Sequence, residues 1–120
     1  MRTILISGAS SGIGLNIAYK ELKAGNRISI GLRDLESVKG SVIDPNNWTN
    51  EKILLNKYDA LDKLSAKKWV ENTVSKFGGF DTLINCSGVL SKVPFLYKDE
   101  DEEEILNTFN INFLAIWHLC

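Results

Sequence analysis

Short apolar, β-branched runs alternate along the chain with stretches whose apolar residues recur every three or four positions. Thr3 to Ser7 (Thr-Ile-Leu-Ile-Ser) is the first run, and it stops at Gly8. From about Ile13 to Ala24 the period is helical. Gly14, Ala18 and Leu22 fall at i, i+4 and i+8 with Leu15 beside them, so one face carries small residues that can sit close to a sheet. Gly25-Asn26 supplies a left-handed stop. Arg27 to Leu32 reads as a second strand and Ile53 to Lys57 as a third. A helix is predicted over roughly Leu64 to Phe77, with Ala66, Trp69, Val70, Val74 and Phe77 at helical spacing and Gly78-Gly79 closing it. Phe80 to Asn85 reads as a fourth strand. A last helix runs from about Glu100 toward the C-terminus, where Ile105, Leu106, Phe109, Phe113, Ile116, Trp117 and Cys120 repeat every three or four residues. The acidic run Asp99 to Glu104 suits the positive end of that helix.

Between the second and third strands, Leu35 to Lys52 carries little pattern: one helical turn, then Asp44-Pro45-Asn46-Asn47 as a turn before Trp48, which is expected to pack at the surface. The order β-α-β-(short)-β-α-β-α, with right-handed crossovers, predicts an α/β fold. It is a Rossmann-type, doubly wound parallel sheet, truncated after about four strands.

Composition narrows the class. The 120 residues and 13.4 kDa fit one domain, residues 1–120, and 44% apolar with 24% charged side chains excludes a disordered chain. Fourteen basic against fifteen acidic residues give a net charge of −1, which argues against a nucleic-acid or membrane-surface role. No stretch approaches the ~18 apolar residues of a membrane span, and the run before Gly8 is too short for a secretory leader. Cys86 and Cys120 form neither a disulfide framework nor a metal-ligand spacing. A soluble, cytoplasmic protein without a metal is expected.

The strongest chemical signal is Gly8-Ala9-Ser10-Ser11-Gly12-Ile13-Gly14, set between a predicted strand and a predicted helix. Gly8 permits a sharp exit from the strand. Gly12 lets the backbone approach a pyrophosphate with no Cβ in the way, and Gly14 lets the helix pack on the sheet. The free N–H groups of the helix start then face the anion, aided by the macrodipole, with the Ser10 and Ser11 hydroxyls as further donors. A tight βα turn without a ligand is the plain alternative.

The spacing Gly-x-x-x-Gly-x-Gly after Ser7 resembles the nucleotide-binding motif of the short-chain dehydrogenase/reductase family, whose usual leading Thr is here Ser7. Three more stretches agree in order. Tyr58-Asp59-Ala60 is similar to the family's Asp-containing turn, which implies that Asp59 contacts the adenine amine and that Ala60 lies beside it. Asp81-Thr82-Leu83-Ile84-Asn85-Cys86-Ser87-Gly88 resembles the Asp-x-Leu-Val-Asn-Asn-Ala-Gly strand, which places Asn85, Cys86, Ser87 and Gly88 against the cofactor. Cys86 and Ser87 depart from Asn and Ala but remain small, and Cys86 reads as a packing thiol. Phe109-Asn110-Ile111-Asn112 resembles the mid-helix segment with the family's catalytic Asn, here Asn112. The resemblance covers essentially the whole chain.

It implies a nicotinamide dinucleotide and a carbonyl or alcohol substrate. An acid about 20 residues after the loop accepts from the 2′-OH of NAD, whereas an Arg accommodates the 2′-phosphate of NADP. Aligned on Gly25-Asn26-Arg27, the position that is acidic in NAD-using relatives is Leu32, and Arg33 follows. NADP is therefore expected, through a charge-assisted pairing with Arg33. A shift of one residue in the strand end would promote Asp34 and NAD.

Hydride transfer in the family uses a Tyr activated by a Lys four residues on, because a phenol with a pKa of ~10 is a poor base near neutrality. A Ser steadies the substrate oxygen, and the Asn holds a relay water through its main chain. Tyr19 and Lys23 have that spacing but lie in the first helix, and Tyr58 and Tyr97 have Asp at the fourth position. The catalytic Ser and Tyr-x-x-x-Lys are expected beyond position 120, so these residues alone are expected to bind cofactor weakly and to be inactive. His118 reads as a helix-surface residue and the acidic run as a solvated cap. The resemblance also implies a homo-oligomer at full length. A non-catalytic dinucleotide-binding module, or a remnant completed by another chain, is the alternative reading.

Overall fold

The computed structural model describes residues 1–89, 93, 94 and 96–120. Four parallel strands, β1 (Thr3–Ser7), β2 (Arg27–Leu32), β3 (Ile53–Lys57) and β4 (Thr82–Asn85), form one sheet in the order β3-β2-β1-β4. The chain winds outward from β1 to β3 and then returns to the other side of β1, so the order reverses beside β1. In open parallel sheets that reversal opens a crevice at the carboxyl ends of the strands.

Strand β1 is buried throughout, as expected for a central strand covered on both faces. On one face Ile4, Ile6, Ile28, Ile30 and Leu32 pack against Ala18 and Leu22 of helix α1 (Gly12–Lys23). Gly14, Ala18 and Leu22 are the buried positions of α1, the face its spacing predicts. Where a longer helix could follow β2, two 3-10 turns stand at Leu35–Val38 and Pro45–Asn47, capped by Asp34 and Asp44. Val38 and Ile43 from this segment reach the same core. Trp48 is half-buried. Its ring meets Tyr19 edge-on, with centroids 6.4 Å apart, and its Nε1 donates to the Val42 carbonyl at 2.9 Å.

The other face is covered by α2 (Lys63–Phe77), through Ala66 and Trp69 against Leu5 and Tyr58. The expected inward side chain Val74 is exposed, and Thr73 is buried in its place. The reason is a polar partner on β2. The Thr73 hydroxyl donates to the Trp69 carbonyl at 2.8 Å, so across the 2.7 Å contact the Ser29 hydroxyl must donate to Thr73. Trp69 Nε1 in turn donates to Ser29 Oγ at 2.9 Å. Every buried polar group of this chain of bonds is satisfied, which a valine could not achieve.

Strand β4 begins at Thr82 rather than Phe80. Asp81 Oδ2 accepts from the Thr3 amide at 2.9 Å, which pins the entry to β4 and leaves Phe80 turned outward. The terminal helix is continuous but irregular. A 3-10 turn at Asp99–Asp101 leads into α3 (Glu102–Phe109), a π turn at Asn110–Leu114 and α4 (Ala115–Leu119). Its inward contact is made by Ala115 and Leu119, while Leu106, Phe109, Phe113 and Trp117 are exposed.

Candidate functional site

The loop from β1 to α1 shows why its glycines are needed. Gly8 has φ +73°, and a Cβ there would lie 2.5–2.6 Å from the Cys86 carbonyl and the Ser87 amide nitrogen. The loops leaving β1 and β4 are therefore in backbone contact, which only glycine permits. A Cβ on Gly14 would collide with the Gly8 carbonyl oxygen. Gly12 differs: its φ is +59°, but nothing stands within 4 Å of the space a Cβ would fill. The chain folds left-handed there and leaves room beside itself.

That room lies at the start of α1. Ser11 is extended (φ −159°) and its side chain does not cap the helix, and no acidic residue occupies the first turn. The first N–H groups of α1 are thus left for an external acceptor, at the positive end of the helix dipole. Ser10 and Ser11 are exposed on the same rim.

A cleft of about 360 Å³ opens across the carboxyl ends of the strands, where the order reverses. Gly8, Ser10 and Ser11 form one wall, Arg33 and Asp34 a second, Asp59 and Ala60 a third, and Cys86, Ser87 and Gly88 a fourth. Four stretches far apart in sequence thus meet around one opening. Gly12, Ile13, Gly14, Asn85 and Asn112, also singled out from the sequence, do not line it. Ile13 stands exposed above the loop and Gly14 is buried beneath it. Sequence reasoning missed Ser37, Leu61 and Ile111 on the lining. Ser37 sits in the patternless segment, and neither motif nor periodicity marks it.

Polar groups around the cleft divide into committed and open ones. Asp34 Oδ1 accepts from the Glu36 amide at 3.0 Å, capping the 3-10 turn, and the Ser37 hydroxyl donates to the Asp34 carbonyl at 2.6 Å. Arg33 is exposed and, among the described residues, makes no ion pair. Asp59 Oδ1 accepts from the Leu61 amide at 2.9 Å, which turns the chain and fixes the carboxylate at the cleft wall. Tyr58 is buried below it. Burial raises its phenol above the ordinary value of 10.0, with the neighbouring Asp59 charge adding to the shift. Ser7 and Asn85 are paired in register at the ends of β1 and β4. Ser7 Oγ and Asn85 Oδ1 are buried without a hydrogen-bond partner among the described residues. Buried orphans of this kind are uncommon, and these stand at the strand ends below the crevice.

Asn112 lies on the π turn of the terminal helix and reaches the loop after β4. Its Oδ1 accepts from the Val89 amide at 2.8 Å and its Nδ2 donates to the Val89 carbonyl at 2.7 Å. Tyr19 is remote from all of this, on α1 with Trp48 and Lys23 against its ring. Part of the loop from Val89 to Tyr97 lies outside the described residues.

The sequence profile of the family described as short chain dehydrogenase matches residues 2–120. The chain belongs to that family. Among its relatives, the agropine synthesis reductase of Rhizobium rhizogenes is 35% identical over 112 residues, covering 93% of this chain and 25% of that protein. A short-chain dehydrogenase/reductase of the glucose/ribitol dehydrogenase type from Brucella melitensis superposes with a TM-score of 0.86 at 29% identity, over 99% of this chain and 47% of that one. A 3-ketoacyl-(acyl-carrier-protein) reductase from Brucella melitensis, solved with NADH, gives a TM-score of 0.82 at 25% identity, over 98% of this chain and 47% of that one. This short chain dehydrogenase sequence thus spans from a quarter to about half the length of these relatives. Membership makes the lineage one of oxidoreductases acting with nicotinamide dinucleotides. Among the described residues no helix is long and apolar enough to cross a membrane, and no three His, Cys, Asp or Glu side chains gather as metal ligands.

Proposed function

We propose that residues 1–120 are the cofactor-binding part of an NADP-dependent short-chain oxidoreductase. The bound cofactor would exchange a hydride with a carbonyl or alcohol carbon of a small substrate. The observation that carries the cofactor choice is the contrast between two adjacent side chains. Asp34 is spent on capping its own turn, while the Arg33 guanidinium stands open on the same rim. A 2′-phosphate beside Arg33 gains a charge-assisted pairing, and no carboxylate at Leu32 repels it.

The chain's own groups divide the work. Gly8, Gly12 and Gly14 shape the loop, and the N–H groups from Gly12 and Ile13 onward, with the Ser10 and Ser11 hydroxyls, hold the pyrophosphate. Asp59 and Ala60 hold the adenine side. Cys86, Ser87 and Gly88 form the backbone wall that would hold the nicotinamide half, with Asn85 at the end of β4 below it. Asn112 is the catalytic-site residue of this part. Its side chain is engaged at both ends by Val89, so its main chain is the group that can hold a relay water.

These residues by themselves carry no Tyr-Lys pair at the cleft: Tyr19 and Lys23 have the spacing but lie on α1 beside Trp48, away from the cleft lining. Turnover belongs to a longer chain with a Ser and a Tyr-x-x-x-Lys, and residues 1–120 alone are inactive. The protein is cytoplasmic. At full length it is a homo-oligomer, a reading supported by the exposed row Leu106, Phe109, Phe113 and Trp117 on one side of the terminal helix, with Phe109 and Phe113 stacked at 5.3 Å.

Calorimetric titration of the longest native product with NADPH and NADH tests the cofactor choice. NADPH is expected to bind about tenfold more tightly, the equivalent of one charge-assisted pairing. Equal or tighter binding of NADH would overturn it.

A further inference from the structure

The opposite end of the sheet carries a second opening. A cleft of about 520 Å³ lies at the amino ends of β2 and β3, beside the last turn of α2, and is lined by Arg27, Lys52, Lys76, Phe77, Glu51 and Met1 among others. A strand of five residues separates the two ends, about 15 Å at the usual rise. This opening therefore shares no wall with the dinucleotide cleft.

Three cations converge there. Lys52 Nζ donates to the Gly25 carbonyl at 2.8 Å and Lys76 Nζ to the Ile53 carbonyl at 3.4 Å, so both ammonium groups are held by backbone rather than left to swing in solvent. Arg27 Cζ and Lys76 Nζ lie 5.3 and 5.6 Å from the centroid of the same Phe77 ring. Glu51 is on the rim, yet among the described residues none of these cations makes an ion pair. Arg27 Nε is buried and has no acceptor. A buried N–H of a charged group without an acceptor is costly, and three like charges at one mouth repel one another. An oxyanion held between the three cations offsets that repulsion.

The geometry points to an anion-binding site at this end of the sheet. It takes a small molecule bearing a phosphate or carboxylate, its oxyanion between Arg27, Lys52 and Lys76 and its apolar part along Phe77 and Met1. Arg27 offers a planar fork for the two oxygens, and the lysines supply point charges. Phosphate and carboxylate share this chemistry, and the apolar wall separates them.

Thermal unfolding at constant ionic strength tests the site, with inorganic phosphate, acetate and hexanoate each exchanged against chloride. Phosphate or hexanoate at about five times its dissociation constant is expected to raise the Tm by about 4 °C over chloride. Arg27→Met and Lys76→Met are each expected to weaken that binding about tenfold, while Arg33→Met leaves it unchanged. Lys76 is exposed, so its variant keeps the fold if Arg27→Met does not. A hexanoate shift larger than that of acetate assigns an acyl carboxylate, and a shift with phosphate alone assigns a phosphorylated ligand. An anion effect that survives both variants, or one abolished by Arg33→Met, belongs to the cleft at the carboxyl ends of the strands and overturns the proposal. So does the absence of any shift beyond chloride. None of these outcomes depends on which nicotinamide cofactor the other cleft takes.

Discussion

Asn112 holds Val89 by both ends of its amide, with Oδ1 accepting at 2.8 Å and Nδ2 donating at 2.7 Å across 23 residues of sequence. The pair ties the π turn of the terminal helix to the loop that leaves β4. Gly88 makes the approach possible, since a Cβ there would stand 3.3 Å from Asn112 Oδ1. The helix thereby fixes the fourth wall of the cleft.

Asn112→Leu removes both bonds at similar volume and should cost about 1–2 kcal/mol, two net hydrogen bonds at a site open to water. Asn112→Asp keeps an acceptor for the Val89 amide but sets a carboxylate against the Val89 carbonyl. It should lose nearly as much. Urea unfolding gives the energies, and amide exchange at Val89 reports whether the loop is released. An aspartate variant as stable as the parent would show that the donor half of the clamp contributes nothing.

Gly8 and Gly12 should separate stability from binding. Gly8→Ala places a Cβ 2.5–2.6 Å from the Cys86 and Ser87 backbone at a positive φ, so the two loops must be pushed apart. The expected loss is about 3 kcal/mol, from overpacking and left-handed strain together. Gly12→Ala meets no atom within 4 Å and carries the φ strain alone, about 1 kcal/mol. Its methyl group fills the space beside the helix start, so the dinucleotide affinity should fall far more than the stability. Thermal unfolding and a cofactor titration on the same two variants check this.

The first three strands were legible from the sequence because they are short, apolar-rich runs bounded by glycine or turn residues, and their limits agree with the structure. The inward face of α1 was legible for the same reason: small residues at a strict spacing have few other uses. Thr73 was not. A polar residue turned inward is explained only by Ser29 and the indole N–H of Trp69, which arrive from 44 and 4 residues away. The glycine loop and the Asp59 turn declared themselves, but Ser37 and Ile111 reach the cleft through tertiary placement alone. The outward face of the terminal helix was hidden too. Its apolar period is that of a buried helix, and nothing local says which neighbours cover it.

Arg33 and Asp34 should behave differently on substitution. Arg33→Met removes the only exposed cation of the second wall and should weaken NADPH binding about tenfold while leaving NADH unchanged. Asp34→Asn keeps an oxygen for the Glu36 amide and should change the ratio of the two cofactors little. Paired titrations with both cofactors decide it. NADPH binding unchanged by Arg33→Met, together with a loss of NADH binding from Asp34→Asn, would assign the ribose contact to Asp34.

Asp44 makes the patternless segment sensitive to acid. Its carboxylate accepts from the Gly40 amide at 2.8 Å and the Asn46 amide at 3.0 Å, and these two bonds hold its pKa below the ordinary 3.8, with Lys39 adding to the effect. A carboxyl with a lowered folded pKa stabilises the fold above its unfolded value and loses that contribution as the pH falls through the folded one. The segment carries Val38 and Ile43 into the core over β2, so loosening it uncovers apolar surface. Asp44→Asn should therefore unfold at lower urea than the parent at pH 7. The two midpoints should stay a constant distance apart down to about pH 5 and converge below about pH 4. Urea titrations of both proteins from pH 7 to pH 3 measure the gap. A separation that persists unchanged at pH 3 would mean that the hydrogen-bond geometry, and not the charge, is what Asp44 contributes.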